Sequence, residues 1–167
     1  MPRVAGLNLV AVLVATIAFY AVGMIIYGFA VTEVWGQHTL INHGMAPDQA
    51  SALKGEELMA AVMAIPNSMG PAMAYGLGVV VALVTTTGIA LVLNMTKPAS
   101  LGGALQRAFV LWLCFAAMTL SYNVLYSSES RTIFAIDLVH LFIAYHLAAS
   151  VLFLMDGKAM SQAANAA

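Results

Sequence analysis

Residues 7–30 read LNLVAVLVATIAFYAVGMIIYGFA, an apolar stretch that contains no charged residue. An α-helix rises about 1.5 Å per residue, so about 20 apolar residues cross the hydrocarbon core of a bilayer. The stretch is also longer than the roughly 7–15 apolar residues of a secretory signal peptide. It therefore predicts a first transmembrane helix that is not cleaved.

Three further stretches have the length and apolar character of membrane spans. Pro66 and Pro71 divide the charge-free region from Leu58 to Thr96, because proline breaks or kinks a helix. The predicted spans are residues 7–30, 72–95, 104–126 and 132–155, with a kinked, Met-rich approach to the second. The sequence thus predicts an all-α integral membrane bundle of four transmembrane helices, in one domain over residues 1–167.

The composition agrees with a chain that lies in lipid. Hydrophobic residues make up 62% of it and charged residues 8%, against roughly 45–50% and 25% in soluble domains. The net charge is −1, and the six Lys and Arg are scattered. Nucleic-acid binding needs a cationic face, so we expect no nucleic-acid partner. Cys114 is the single cysteine, which excludes an internal disulfide.

Lysine and arginine indicate the orientation, because they concentrate in cytoplasmic loops. One side of the membrane holds both termini and the loop between the second and third spans, and it collects most of the basic residues. They are Arg3, Lys97, Arg107 and Lys158 on that side, against Lys54 and Arg131 on the other. We therefore expect cytoplasmic termini, with the longest loop, Glu33 to Glu57, outside.

Residues 48–65 of this outer loop have the pattern of a surface helix. Polar residues alternate with apolar ones such as Leu53, Leu58 and Val62. Pro47 stands near the start, where its missing N–H does no harm. The pattern predicts a short amphipathic helix that lies at the membrane surface.

Two stretches of the chain show a family pattern. In the first, NLVAVLVA (8–15) precedes Gly23, Tyr27 and Trp35; in the second, NVLY (123–126) precedes Arg131 and IFAID (133–137). The pattern resembles a bacterial four-helix inner-membrane family, domain of unknown function 1761. The resemblance implies the fold and a multi-pass location in the bacterial inner (cytoplasmic) membrane, but no activity. The chain departs from the family at the turn SSESR (127–131), where Glu-Arg-Arg or Glu-Arg-Pro is frequent, and at Asp137, where Asn is more usual.

Four polar side chains are predicted to share one depth in the outer half of the membrane: Tyr27, Asn123, Asp137 and His140. His140 follows Asp137 by three residues, which places both on nearly the same helix face. An ionisable residue inside a span indicates a functional site, so the pair could relay a proton or bind a cation. It could instead be a packing contact, with Asp137 hydrogen-bonded to His140 or Asn123.

His146 lies deeper in the fourth span and is a candidate ligand of a haem or a pigment. A bis-histidine haem needs a second histidine on another span, and no other predicted span contains one. Phe142 stands four residues before His146, where light-harvesting helices have alanine. The alternative is a structural histidine bonded to a neighbouring helix.

The outer loop contains a candidate copper(I) site at His38, His43 and Met45, because imidazole and thioether are soft ligands. Two methionine pairs with four-residue spacing follow it along the chain. They are Met59 with Met63, and Met69 with Met73. Methionine also serves as a flexible filler of apolar contacts, which is the alternative.

Small residues predict where the helices touch. Ala74, Gly78 and Ala82 repeat at four-residue intervals on the second span, and such rows let helix backbones approach closely in lipid. Similar pairs occur on the first and fourth spans. They are Ala11 with Ala15, and Ala144 with Ala148.

These features favour a non-enzymatic accessory, assembly or scaffolding subunit of a membrane complex. Its expected partners are the lipid bilayer and other membrane subunits or further copies of the chain. No nucleophile with its base and no glycine-rich phosphate loop is visible. The alternatives are an oligomeric transporter of a cation, proton or solute that uses Asp137 and His140, and a copper-handling or other membrane enzyme. The sequence identifies no cofactor.

Overall fold

The computed structural model describes residues 2–66, 71–127 and 129–165, and helices make up most of them. Two π-helical turns interrupt the α-helices: Ile26–Ala30 continues the first helix, and Trp112–Ala117 joins α6 to α7. The elements are β1 Arg3–Val4, β2 Leu7–Asn8, α1 Leu9–Ile25, α2 Thr32–Asn42, α3 Pro47–Ala52, α4 Gly55–Met63, α5 Pro71–Thr96, α6 Leu101–Leu111, α7 Met118–Tyr126 and α8 Arg131–Asn165.

Within the described residues, four helices are long and apolar enough to cross a membrane. They are Leu9–Ala30, Met73–Thr96, Leu101–Tyr126 and Arg131–Gly157. The chain is therefore an all-α integral membrane bundle, as its sequence predicts. The third span begins at Leu101 rather than at 104, because Ser100 accepts a hydrogen bond from the backbone N–H of Gly103 and caps the helix there. The predicted approach to the second span falls partly on residues 67–70, outside the described residues.

Helix α8 is the centre of the bundle, since it contacts α1, α5 and the α6–α7 span. Its most extensive contact is with α1. Alanines are prominent in the core that these helices share: Ala11, Ala15, Ala144 and Ala148 are at most 1% exposed. Small side chains allow the close backbone approach that stabilises helix contacts in lipid, where no hydrophobic effect drives association.

Of the row of small residues on α5, Gly78 and Ala82 lie at the contact with α1. A Cβ atom on Gly78 would lie 3.0 Å from the Tyr20 ring, and Ala82 is buried. Ala74, in contrast, is exposed. Farther along the same contact, the hydroxyls of Thr16 and Thr86 share a buried hydrogen bond of 2.7 Å.

The outer loop contains three helices, and the residues predicted as one helix, 48–65, form two. Helices α3 and α4 are separated because the backbone is extended at Leu53 and Lys54, and Gly55 has a φ of 50°, a conformation that favours glycine. Helix α2 was not predicted. It packs on α4, where a Cβ on Gly36 would lie 3.1 Å from Leu58. The loop thus has a small apolar core, formed by Leu40, Ala50, Leu58 and Val62.

A short antiparallel hairpin, β1–β2, precedes α1 at the end of the bundle where the fourth span also ends. Arg3 forms an ion pair with Asp156 of α8 and donates to the carbonyl of Gly6. The Asn8 side chain accepts from the N–H of Ala11 and caps α1. The hairpin was not predicted, because two-residue strands are too short to show an alternating pattern. Through Arg3, it fastens the start of α1 to α8.

Candidate functional site

Tyr27 lies in the π-helical turn Ile26–Ala30 at the C-terminal end of the first span. The Thr32 hydroxyl donates to the carbonyl of Tyr27 at 2.7 Å, and the N–H of Val31 donates to the carbonyl of Ile26 at 2.9 Å. These bonds use carbonyls that the widened turn would otherwise leave without partners. π-helical turns are rare in proteins as a whole, but those that occur are often found at functional sites. The residues around Tyr27 are therefore candidates for a functional site.

The Tyr27 hydroxyl donates a hydrogen bond to Asp137 Oδ1 on α8. His140 Nδ1 lies 3.4 Å from the same hydroxyl oxygen, and the Tyr27 and His140 rings meet edge to face with centroids 5.0 Å apart. Asp137 and His140 lie on one face of α8, about one turn apart, so both reach the same residue of the first span. We call Tyr27, Asp137 and His140 the outer triad.

Gly23 makes room for the outer triad. A Cβ atom there would lie 3.2 Å from His140 Nε2, tighter than most real contacts. Phe19, one turn deeper on α1, meets the His140 ring at a centroid distance of 6.4 Å. Gly23 was not predicted to belong to the site, although a glycine one turn before Tyr27 indicates a close helix approach.

Asn123, predicted to share the depth of the outer triad, does not bond to it. It is exposed on α7, and its backbone carbonyl accepts from the N–H groups of Ser127 and Glu129. Within the described residues, no hydrogen bond joins its side-chain amide to the outer triad. The structure therefore brings three of the four predicted polar residues together.

Two residues that were not predicted to belong to the site flank it: Trp35 and Glu129. The Trp35 ring of α2 meets the Tyr27 ring at a centroid distance of 6.0 Å. The Glu129 carboxylate lies close enough to act electrostatically on both Tyr27 and Asp137. Its Oε2 atom is buried and has no hydrogen-bond partner in the described part of the chain. The site thus contains a second acidic group besides Asp137.

The candidate copper ligands of the outer loop have separate structural contacts. His38 Nδ1 lies 3.0 Å from Ser130 Oγ, which ties α2 to the start of α8. His43 Nδ1 donates to the carbonyl of Thr39 at 2.9 Å, and Met45 packs on the apolar core of the loop. Among the residues that the structure describes, no group of three or more His, Cys, Asp or Glu is placed to hold a metal ion. Met69 lies outside those residues.

His146 is not part of the outer triad. Its Nδ1 donates to the carbonyl of Phe142, one turn earlier in its own helix, at 2.7 Å. The alternative in which it bonds to a neighbouring helix is therefore not what the structure has. The imidazole is partly exposed and lies beside Phe142, with ring centroids 4.1 Å apart.

Below the outer triad the core is closely packed. Phe19 and Ala15 of α1 are buried there. In the described part of the chain, the buried polar residues of the core are the hydrogen-bonded pair Thr16 and Thr86, and Asn8 at the inner end. A phenol, a carboxylate and an imidazole in contact can exchange protons among themselves, but this core separates them from the end of the bundle that holds the β1–β2 hairpin.

These features define a class: a small four-span membrane protein with a polar cluster toward one end of an alanine-packed bundle. A family model described as "Protein of unknown function (DUF1761)" matches residues 10–153. The match covers most of the chain, so the chain belongs to this family. No curated protein and no solved structure matches the chain.

Proposed function

We propose that the protein is a non-enzymatic accessory, assembly or scaffolding subunit of a membrane complex. The observation that carries this proposal is that polar side chains inside the bundle bond within it: Asp137 to Tyr27, and Thr16 to Thr86. In the described residues, the alanine-rich core beneath the outer triad leaves no continuous row of polar groups across the membrane. Because the interior polar groups bond to one another, a partner would bind at the lipid-facing surfaces of the helices.

The α6–α7 span is the best candidate for such a surface, because it is the least buried of the four. One stripe along the π-helical turn Trp112–Ala117 and α7 carries exposed aromatic and polar side chains together. Its members are Phe115, Thr119, Tyr122, Asn123 and Tyr126. Threonine and asparagine form hydrogen bonds between helices in membranes. We propose that this stripe meets another membrane subunit or a second copy of the chain.

A photo-crosslinking amino acid at Tyr122 tests the stripe in native membranes. Val84 of α5 is the matched control, because it is also exposed, at 66% against 63% for Tyr122. We expect a protein adduct from position 122 and lipid adducts from position 84, each identified by mass spectrometry. Equal protein adducts at both positions, or lipid adducts alone at 122, would remove the stripe from the proposal.

A second candidate function, a proton or cation transporter built around Asp137 and His140, has one observation in its favour. In the described residues, the buried Glu129 Oε2 beside the outer triad has no hydrogen-bond partner. Buried polar atoms in proteins usually have such a partner, so a transported proton or cation could fill this role. The test is flux into liposomes containing the wild-type chain, read with a pH-sensitive dye. We expect no flux above that of empty liposomes. Flux that is lost in both Asp137→Asn and His140→Gln, at unchanged stability, would replace the accessory role by transport.

We further propose that the protein lies in the bacterial inner membrane with cytoplasmic termini. The support is the distribution of Lys and Arg. Arg3 and Arg107 lie on the proposed cytoplasmic side, where Arg3 pairs with Asp156 and Arg107 Nε donates to Thr96 Oγ1 at 2.7 Å. Reporter fusions at Gly44 and after Ala167 should report opposite sides. Active alkaline phosphatase after Ala167 would reverse the orientation.

A further inference from the structure

The imidazole of His146 has a free nitrogen deep in the membrane. The fourth span runs from Arg131 to Gly157, so His146 lies near its middle. Since Nδ1–H donates to the carbonyl of Phe142, Nε2 of the neutral ring carries a lone pair and accepts. No hydrogen bond reaches Nε2 from the residues that the structure describes. A polar atom without a partner in hydrocarbon is costly. A ligand or hydrogen-bond donor that binds Nε2 would offset this cost.

The His146 ring is one of four aromatic rings that contact one another where α6 and the π-helical turn Trp112–Ala117 meet α8. The ring centroids of His146 and Phe142 are 4.1 Å apart, and those of Phe142 and Trp112 are 5.0 Å apart. Trp112 lies 5.7 Å from Phe109, which lies 6.5 Å from His146. Trp112 Nε1 donates to the carbonyl of Leu138 at 3.1 Å, which fixes the indole. We call these four rings the aromatic circuit.

We propose that His146 is the axial ligand of a metallotetrapyrrole, a haem or a chlorin, bound at the aromatic circuit. Histidines that bind metals almost always donate their second N–H to a carbonyl, a carboxylate or water, as the Nδ1–H of His146 does. One proximal histidine suffices for a haem iron, so the ligand set needs no histidine from another span. The exposed faces of Phe109 and Phe142 would contact the macrocycle.

This site goes beyond the proposed accessory role and does not rest on it. It is also separate from the outer triad, because His140 lies six residues earlier in α8 and faces Gly23 of α1. The binding step is the formation of one coordination bond from Nε2 to the metal, and no electron or proton is transferred.

Binding can be followed in the purified full-length chain by absorption spectroscopy. Ferrous haem and a zinc chlorin are titrated separately, and the two arms distinguish the two kinds of tetrapyrrole. We expect a shifted Soret or red band that saturates at one ligand per chain for at least one of them. His146→Gln can keep an N–H donor to the Phe142 carbonyl but lacks the imidazole, and it should weaken binding by more than about tenfold. Added imidazole should restore the band in His146→Ala.

His43→Ala is the matched control, because His43 makes the same bond to a carbonyl one turn back, 2.9 Å to Thr39, but lies in the outer loop. It should bind like the wild type. Circular dichroism checks that each variant keeps its helices. Equal binding by the wild type and both His146 variants, or no band shift with either tetrapyrrole, overturns the proposal. A cross-link to another helix that depends on His146, without tetrapyrrole binding, would assign Nε2 to a helix–helix hydrogen bond instead.

Discussion

The hydrogen bond from Tyr27 to Asp137 satisfies an acidic side chain inside a membrane span. Asp137→Asn keeps a carbonyl oxygen that can accept from the same hydroxyl, and it removes a group that is costly in lipid. We expect the thermal midpoint of this variant to stay within about 2 °C of the wild type, which corresponds to less than about 1 kcal/mol. Unfolding in nanodiscs, followed by circular dichroism, measures it. A large loss of stability would mean that the charge itself holds the bundle together.

Tyr27→Phe is the complementary change, because it removes the donor and leaves Asp137 in the span. We expect a loss of about 0.5–2 kcal/mol, the range for hydrogen bonds between membrane helices and for polar groups that lose a partner. The same unfolding assay reports it. Combining Tyr27→Phe with Asp137→Leu should recover part of the loss, because no carboxylate is then left without its donor. A Tyr27→Phe variant as stable as the wild type would show that the bond contributes nothing.

The side chains that share a helix face could be predicted from the sequence where the helix is regular, but not across an irregular turn. Asp137 and His140 are separated by three residues of regular helix, and their common face followed from helix geometry. Asn123 comes after the π-helical turn Trp112–Ala117, and each residue inserted into a turn rotates the following side chains by roughly 100°. The exposure of Asn123 on α7 therefore depends on a turn that no pattern in the sequence reveals.

At the level of elements, the contact of α5 with α1 can be tested by substituting two glycines of α5, one that faces α1 and one that does not. A Cβ on Gly78 would lie 3.0 Å from the Tyr20 ring, whereas a Cβ on Gly76 would meet nothing within 4 Å. We expect Gly78→Leu to lower the thermal midpoint and to broaden the elution profile in detergent, because the larger side chain separates the two helices. Gly76→Leu should leave both unchanged. Equal effects of the two substitutions would exclude this contact face.

The four spans were predictable because lipid imposes one simple rule, a long apolar helix without charges. The outer loop follows no such rule. Its division into α3 and α4 depends on the backbone conformation of Gly55, with a φ of 50°. Its third helix, α2, is held by contacts such as Gly36 with Leu58, which join residues far apart in sequence. Local periodicity carries no information about such contacts.

For the molecule as a whole, the β1–β2 hairpin joins the beginning of the first span to the end of the last. Arg3→Ala removes the ion pair with Asp156. Because the Arg3 side chain is 43% exposed, solvent screens the ion pair, and we expect a loss of global stability below about 1 kcal/mol. We also expect faster amide hydrogen exchange at residues 3–8. Lys97→Ala, a change of an exposed lysine, is the control and should alter neither. Unchanged exchange in Arg3→Ala would show that the hairpin is held by its backbone alone.

The contact between α1 and α8 joins the first span of the chain to the last. During synthesis α1, α5 and the α6–α7 span are inserted into the membrane before α8 has been made. The earlier helices therefore lie in lipid without α8, the helix that contacts all of them. Tyr27 has no Asp137 to bond to until α8 is inserted. Helices that insert one by one and associate afterwards can tolerate such a delay. Assembly of this bundle is therefore completed only by its last helix, and a chain truncated before Arg131 should be degraded by membrane quality control.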